Sequence, residues 1–265
     1  IGSSGGTLQT ATAGTSNFRA GVNAGNSIQS GGNFNTVLGD EAGTAITTGD
    51  DNVAVGYAAG DAMTTGSYNA IVGKNSGGAI TTGVENVSVG WNSLDALTEG
   101  GQNVALGASA LGSDTLGSRS VAVGYQALTT QNFTTATDAH NTAVGYKAGE
   151  AVTTGANNTI IGANTGIALT SGSNNNLIGG LAGDALTTGH SNNIMGVSCG
   201  TALTDADYNV AIGQQALNSD TLGSQTVAIG SFALSAQNYT TATNSLNTAV
   251  GYAAGAAING SAAGA

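Results

Sequence analysis

Proline is absent from this chain of 265 residues, cysteine occurs once, and only Arg19, Lys74, Arg119 and Lys147 carry positive charge. Each shortage removes a class of answer. A lone Cys199 leaves no intrachain disulfide framework. Four cations against 15 acids, a net charge of −11, provide no basic patch for phosphate, so neither nucleic acid nor an anionic membrane surface is an expected partner. No apolar run reaches the roughly 18 residues of a membrane span, so this segment is expected to insert in no membrane. Aromatics make up 5% and charged residues 7%, too little bulk for a thick globular core.

What is present is glycine, 44 of them, arranged with a period. The segment Asn141-Thr142-Ala143-Val144-Gly145-Tyr146 recurs closely at Asn52 to Tyr57 and at Asn247 to Tyr252. Its glycine recurs as Gly39, Gly56, Gly73, Gly90, Gly107, Gly124, Gly145, Gly162, Gly179, Gly196, Gly213, Gly230 and Gly251. The steps are five of 17 residues, one of 21, five of 17 and one of 21, so a unit of 106 residues runs from Gly39 to Gly145 and again to Gly251. Such nested periods define a repeat protein. They predict an all-β parallel β-solenoid, a β-roll or β-helix of about 13 coils, each burying a thin core against its neighbours. Asn17 to Gly32 reads as a degenerate first coil. Residues 1–16 read as a lead-in or linker and 17–265 as one solenoid domain. An Ile start and an end at 260–265 without a polar cap suggest a piece of a longer chain.

Columns counted from the anchor glycine assign the faces. The residue before it is always aliphatic or Met (Leu38, Val55, Val72, Val144, Ile161, Met195, Ile212 among others), which reads as a buried strand position. The residue before that (Ala54, Ile71, Ala105, Ile160, Leu177) reads as the opposite strand face, still apolar and therefore packed against a second chain. Three residues after the glycine the column is small, and seven after it Ile46, Met63, Ile80, Leu97, Val152, Leu169, Leu186 and Leu203 predict a second short strand. At the exceptions, Asp114 and Asp220, Leu116 and Leu222 are expected to point inward instead. Gly49, Gly66, Gly83, Gly155, Gly172 and Gly189 are expected to turn corners at positive φ.

An asparagine four residues before the anchor repeats at Asn35, Asn52, Asn69, Asn86, Asn103, Asn141, Asn158, Asn175, Asn192, Asn209 and Asn247, a ladder of amides that bond along the axis. Its gaps are Ser120 and Thr226, each in the coil before a longer step. The two four-residue insertions carry one aromatic each among small polar residues. Asn132, Phe133 and Thr134 and their counterparts Asn238, Tyr239 and Thr240 are candidate receptor-contact loops, with inward packing of the aromatic as the other reading.

Little chemistry accompanies this. His140 and His190 stand at corners with no second ligand at metal spacing, and Cys199 fills a column of Ala and Ser. The pairs Asp40-Glu41 and Asp50-Asp51, and Asp205 with Asp207, raise calcium as a ligand, but the glycine-aspartate pattern of calcium β-rolls is missing, so no cofactor is expected. The acids needed for cleaving a polysaccharide lie scattered. Tyr57, Trp91, Tyr125, Tyr146 and Tyr252 follow the anchor glycine, either as a strip for sugars or as the rim of a chain–chain seam, the preferred reading. Finally, Thr47, Thr64, Thr81, Thr98, Thr115 and the matching Thr153 to Thr221 form a column like an ice-binding face, broken beside it by Glu99, Leu116 and Asp205.

Asn52-Val53-Ala54-Val55-Gly56, Asn103-Val104-Ala105-Leu106-Gly107 and Asn209-Val210-Ala211-Ile212-Gly213 resemble the head repeats of trimeric autotransporter adhesins, over roughly residues 33–258. The resemblance implies a left-handed parallel β-roll, three chains of which form a head. The period here is 17 rather than nearer 14, with Thr-Thr-Gly added at the corner, and neither coiled-coil stalk nor anchor barrel occurs in this sequence. The longer period also resembles repeats of fibre proteins from marine bacteria and their phages. The expectation is a non-enzymatic, extracellular fibre or adhesin segment on a cell surface or virion. As a homotrimer it would meet a host-cell glycan or protein receptor; a phage tail-fibre segment or an ice-binding solenoid are the alternatives.

Overall fold

A computed structural model describes residues 13–259. Residues 1–12 of the expected lead-in, and 260–265, lie outside the described residues. The chain is an all-β parallel β-solenoid of about 14 turns. The described residues form two compact units, one of residues 13–118 with Thr134–Thr137, the other of Arg119–Phe133 with residues 138–259.

In the first unit six strands of three residues follow one another: β1 (Phe18–Ala20), β2 (Thr36–Leu38), β3 (Val53–Val55), β4 (Ala70–Val72), β5 (Val87–Val89) and β6 (Val104–Leu106). Each pairs in parallel with the next, and the register sets like positions of the repeat side by side, Ala54 on Ile71 and Ser88 on Ala105. The pairing of Phe18 with Thr36 makes Asn17 to Gly32 a true coil. A short β7 (Gly117–Ser118) follows.

A short β9 (Thr137–Asp138) lies at the boundary of the units, and the second unit repeats the plan with β8 (Val121–Val123), β10 (Thr142–Val144), β11 (Thr159–Ile161), β12 (Asn176–Ile178), β13 (Asn193–Met195) and β14 (Val210–Ile212). The chain ends with β15 (Gly223–Ser224), β16 (Val227–Ile229), β17 (Thr243–Asn244) and β18 (Thr248–Val250). The three-residue strands pair in coil order, and β15 pairs with β17 beside the second insertion.

The anchor glycine column has a double cause. Gly56 and Gly73 have φ of 134° and 135°, a region that L side chains rarely adopt. A Cβ on either would also stand 2.5 or 2.4 Å from the next anchor's carbonyl oxygen. The corner glycines differ from expectation. Gly49, Gly66 and their kin are not at positive φ; they are needed because a Cβ on Gly49 would stand 2.3 Å from the Gly66 oxygen. Left-handed backbone falls instead on ordinary residues, such as Asp51, Tyr68 and Glu85 just before the ladder asparagine.

Three other expectations are corrected. The first concerns the two strand faces, which are exchanged. Ala54, Ile71, Ala105, Ala143, Ile160 and Leu177 are wholly buried inside the coil, while Leu38, Val55, Val72, Val144 and Met195 point outward, half-buried or exposed. Side chains alternate along a strand, and the buried asparagine shares the inner face with the residue two positions on. The interior is narrow there, facing the small column of Ala42, Ala59 and Ala110.

Next, each coil has one three-residue strand rather than two. The chain around Ile46, Met63 and Ile80 buries those side chains fully but runs as turns, tied to the next coil by bonds such as Thr47 N to Thr64 O at 2.9 Å. Burying each such side chain contributes on the order of 1.5–3 kcal/mol.

Last, Asp114 and Asp220 stay inside, and Leu116 and Leu222 are only half-buried. The missing apolar volume comes from Leu111 and Leu217, fully buried where most coils have glycine, at φ of 50° and 52°.

Candidate functional site

The asparagine ladder is interior scaffolding. Asn69 is typical: its Nδ2 donates to Gly83 O at 2.8 Å and to Asn52 Oδ1 at 3.2 Å. Its Oδ1 in turn accepts from Asn86 N at 3.0 Å and Asn86 Nδ2 at 3.1 Å. Asn52, Asn86, Asn103, Asn141, Asn158, Asn175, Asn192 and Asn209 are equally buried; Asn247, near the end, is half-buried. A buried amide with its bonds satisfied along the axis is a strong constraint on register.

The ladder does not stop at its gaps. Gln237, from the second insertion, places Nε2 3.3 Å from Thr226 Oγ1 and accepts from Asn247 Nδ2 at 2.8 Å. Its Nε2 also donates to Asp220 Oδ2 at 2.6 Å, while Asp220 Oδ1 accepts from Gly223 N and Tyr239 N. Gln131 does the same in the first insertion, donating to Ser120 Oγ at 3.1 Å and accepting from Asn141 Nδ2 at 2.9 Å. Sequence reading missed these glutamines. Their signal was a polar residue seven after the anchor, in the coil that follows Asp114 and Asp220, the other polar members of that apolar column.

Around these glutamines the candidate contact loops divide. Phe133 is buried, Asn132, Asn238 and Tyr239 are half-buried, and Thr134 and Thr240 are exposed. The loops therefore offer solvent their small polar residues.

The threonine column is engaged with its own backbone. The hydroxyls of Thr47, Thr64, Thr81 and Thr98 donate to the carbonyls of Thr64, Thr81, Thr98 and Thr115 at 3.0–3.2 Å, and Thr170 and Thr187 do likewise. Their protons are used along the axis.

The titratable residues named from sequence are not gathered into one site. His190 Nδ1 accepts from Ser173 N at 3.0 Å and its own N–H is capped by Asp207; His140 is exposed. Asp40 and Asp50 accept backbone N–H groups of Val22 and Asn33. Cys199 is buried, and burial pushes its thiol up to about 12. Among the described residues no three His, Cys, Asp or Glu side chains come together in a way that could hold a metal.

Two features face outward. One is the outer sheet face, carrying Leu38, Val53, Val55, Val72, Val89 and Leu106 in the first unit. In the second it carries Val123, Val144, Ile161, Ile178, Met195, Ile212 and Val250. The other feature is the corner after the anchor glycine. Tyr57 and Trp91 are each 55% exposed, and Lys74 Nζ lies 5.9 Å from the Tyr57 ring centre. In the second unit Tyr125 and Tyr146 stack on one another at 5.6 Å.

Below Tyr57 and Lys74 the first unit has an open groove of about 580 Å³, with Asp61, Asn75, Gly78 and Asp95 in its wall. Desolvation raises the pKa of both carboxylates. Sequence reading missed this pair as well; an Asp-Gly-Asp series at 17-residue spacing was its signal.

No known protein family matches the chain, and neither a curated protein nor a solved structure matches it.

Proposed function

We propose that this chain is a non-enzymatic, extracellular fibre or adhesin segment that associates with copies of itself as a homotrimer and presents its loops to a cell surface or receptor. The supporting observation is the outer sheet face. In a single chain it leaves Leu38 and Val89 of the first unit, and Ile161, Met195, Ile212 and Val250 of the second, more than a third exposed, all at the same position of the repeat. Solitary soluble chains rarely leave a contiguous apolar strip of this kind in water. A repeated column is self-complementary in register, so symmetric copies can cover it at every coil. The resemblance to adhesin head repeats supplies the number three. A phage tail-fibre segment would use the same face in the same way. The ice-binding reading loses ground because the threonine hydroxyls donate to carbonyls of neighbouring coils.

Light scattering on the purified chain tests this reading. The expected mass is three times 25.4 kDa. A monomer at micromolar concentration would overturn the trimer and leave the outer face without a covering.

A further inference from the structure

We propose that the groove beside Tyr57 and Lys74, together with the exposed Trp91 one coil further on, binds an extended, neutral, β-linked polysaccharide. This deepens the reading of the chain as a surface-contact segment and names the ligand class at one place on it.

The platform comes first. Asn75 N donates to Tyr57 O, Asn92 N to Lys74 O and Ser109 N to Trp91 O, all within 3.1 Å, so Tyr57, Lys74 and Trp91 hold one register position in three successive coils. With strands ~4.8 Å apart, the two aromatic positions repeat at ~9.6 Å along the axis. That matches the length of a disaccharide in an extended β-linked chain, whose sugars present flat C–H faces to aromatic rings. Exposed rings on a rigid backbone make such stacking cheap in entropy, since they have only two side-chain torsions to fix. The Lys74 ammonium lies near the outer limit of a cation–π contact and can give way to a sugar ring.

The wall of the groove supplies direction. A Cβ placed on Gly78 would lie 2.9 Å from Asp95 Oδ1 and 3.6 Å from Asp61 Oδ1, so both carboxylates converge on the space over Gly78. They are acceptors aimed where sugar hydroxyls can donate, and the Asn75 amide adds a donor and an acceptor. Two carboxylates against one lysine, on a chain of net charge −11, argue against sulfated or uronic-acid chains. The Tyr125–Tyr146 pair in the second unit spends ring faces on each other, and the matching positions of its coils carry Thr129 and Glu150 in place of Asp and Gly.

Trp91 is the only tryptophan in the chain, so its emission reports on this place alone. The experiment titrates the full chain with cellohexaose and chitohexaose, with α-linked maltohexaose as the control. A saturable change in Trp91 emission with a β-linked hexamer is expected, and none with maltohexaose. Tyr57→Ala and Gly78→Ala, each checked for native circular dichroism, should bind about tenfold more weakly or worse. Asp95→Asn provides a further variant should either fail to fold. No response to either β-linked hexamer, an equal response to maltohexaose, or unchanged binding in the folded variants would overturn the proposal. The mass of the same sample is read separately: a trimer without glycan binding refutes only the groove, and a glycan-binding monomer refutes only the trimer.

Discussion

Gln237 accepts a hydrogen bond from Asn247 at 2.8 Å, carrying the buried amide ladder across the coil where threonine replaces asparagine. The insertion that lengthens the coil thus supplies the group the coil lacks. Gln131 and Asn141 stand in the same relation 106 residues earlier.

Replacing Gln237 by Leu should therefore destabilise the fold although it adds apolar surface. Asp220 Oδ2 and Asn247 Nδ2 each lose a buried partner, and an unsatisfied buried polar group costs about 1–3 kcal/mol. Urea unfolding should show a lower midpoint for Gln237→Leu, and a lower one still for the Gln237→Leu/Asp220→Leu double variant, which also strips the acceptor from Gly223 N and Tyr239 N. A midpoint equal to that of the parent would mean the glutamine is dispensable.

The repeat, the parallel solenoid, the ladder and the apolar column around Ile46 were all legible in the sequence, because each is a residue type held at one spacing. The assignment of inside and outside was not. Both strand columns are apolar, and the bulkier one, with Val55 and Met195, was the natural choice for a core. The deciding information was the asparagine: once Asn52 is recognised as buried, strand alternation places Ala54 inside and Val55 outside. The groove was illegible for a different reason. Asp61 and Asp95 are 34 residues apart, and only coil stacking with glycine between them makes them face one space.

Acid should stabilise the chain through three carboxylates. Burial raises the pKa of Asp61, Asp95 and Asp184 above 3.8, and Asp184 Oδ1 is buried without a hydrogen-bond partner. A raised folded pKa means the folded state holds more protons than the unfolded state in the window just above 3.8. Stability from these groups is accordingly greatest below that window and declines as pH rises through it. Thermal melts should shift upward as pH is lowered from neutral toward the carboxylate range. The Asp61→Asn/Asp95→Asn/Asp184→Asn variant should show a flatter profile; a slope matching the parent's would assign the effect to general charge repulsion.

Cys199 should be inert until its coil opens. Its sulfur lies 3.2 Å from Ala211 O and 3.3 Å from Ala216 O, and burial holds the thiol near 12, so almost no thiolate exists at pH 8. Labelling by a thiol-specific disulfide reagent should be slow in buffer and fast in denaturant. Rapid labelling under native conditions would place the coil around Gly196 to Leu203 among the easily opened parts of the chain.

A pair of neighbouring substitutions separates folding from association. Ala143 is fully buried and Val144, beside it, faces outward. Ala143→Asp puts an unpaired charge into a space sized for a methyl group, which should cost several kcal/mol and unfold at least the coils around it. Val144→Asp puts the same charge on the outer face, where a lone chain lets water reach it and the cost should stay below about 1 kcal/mol. In the associated form that carboxylate would be repeated in every copy and excluded from water, so the oligomer should dissociate. The expected result is a folded, monomeric Val144→Asp chain beside an unfolded Ala143→Asp chain, read by circular dichroism and light scattering. If Val144→Asp keeps the parent's mass, the outer sheet face is not where the copies meet.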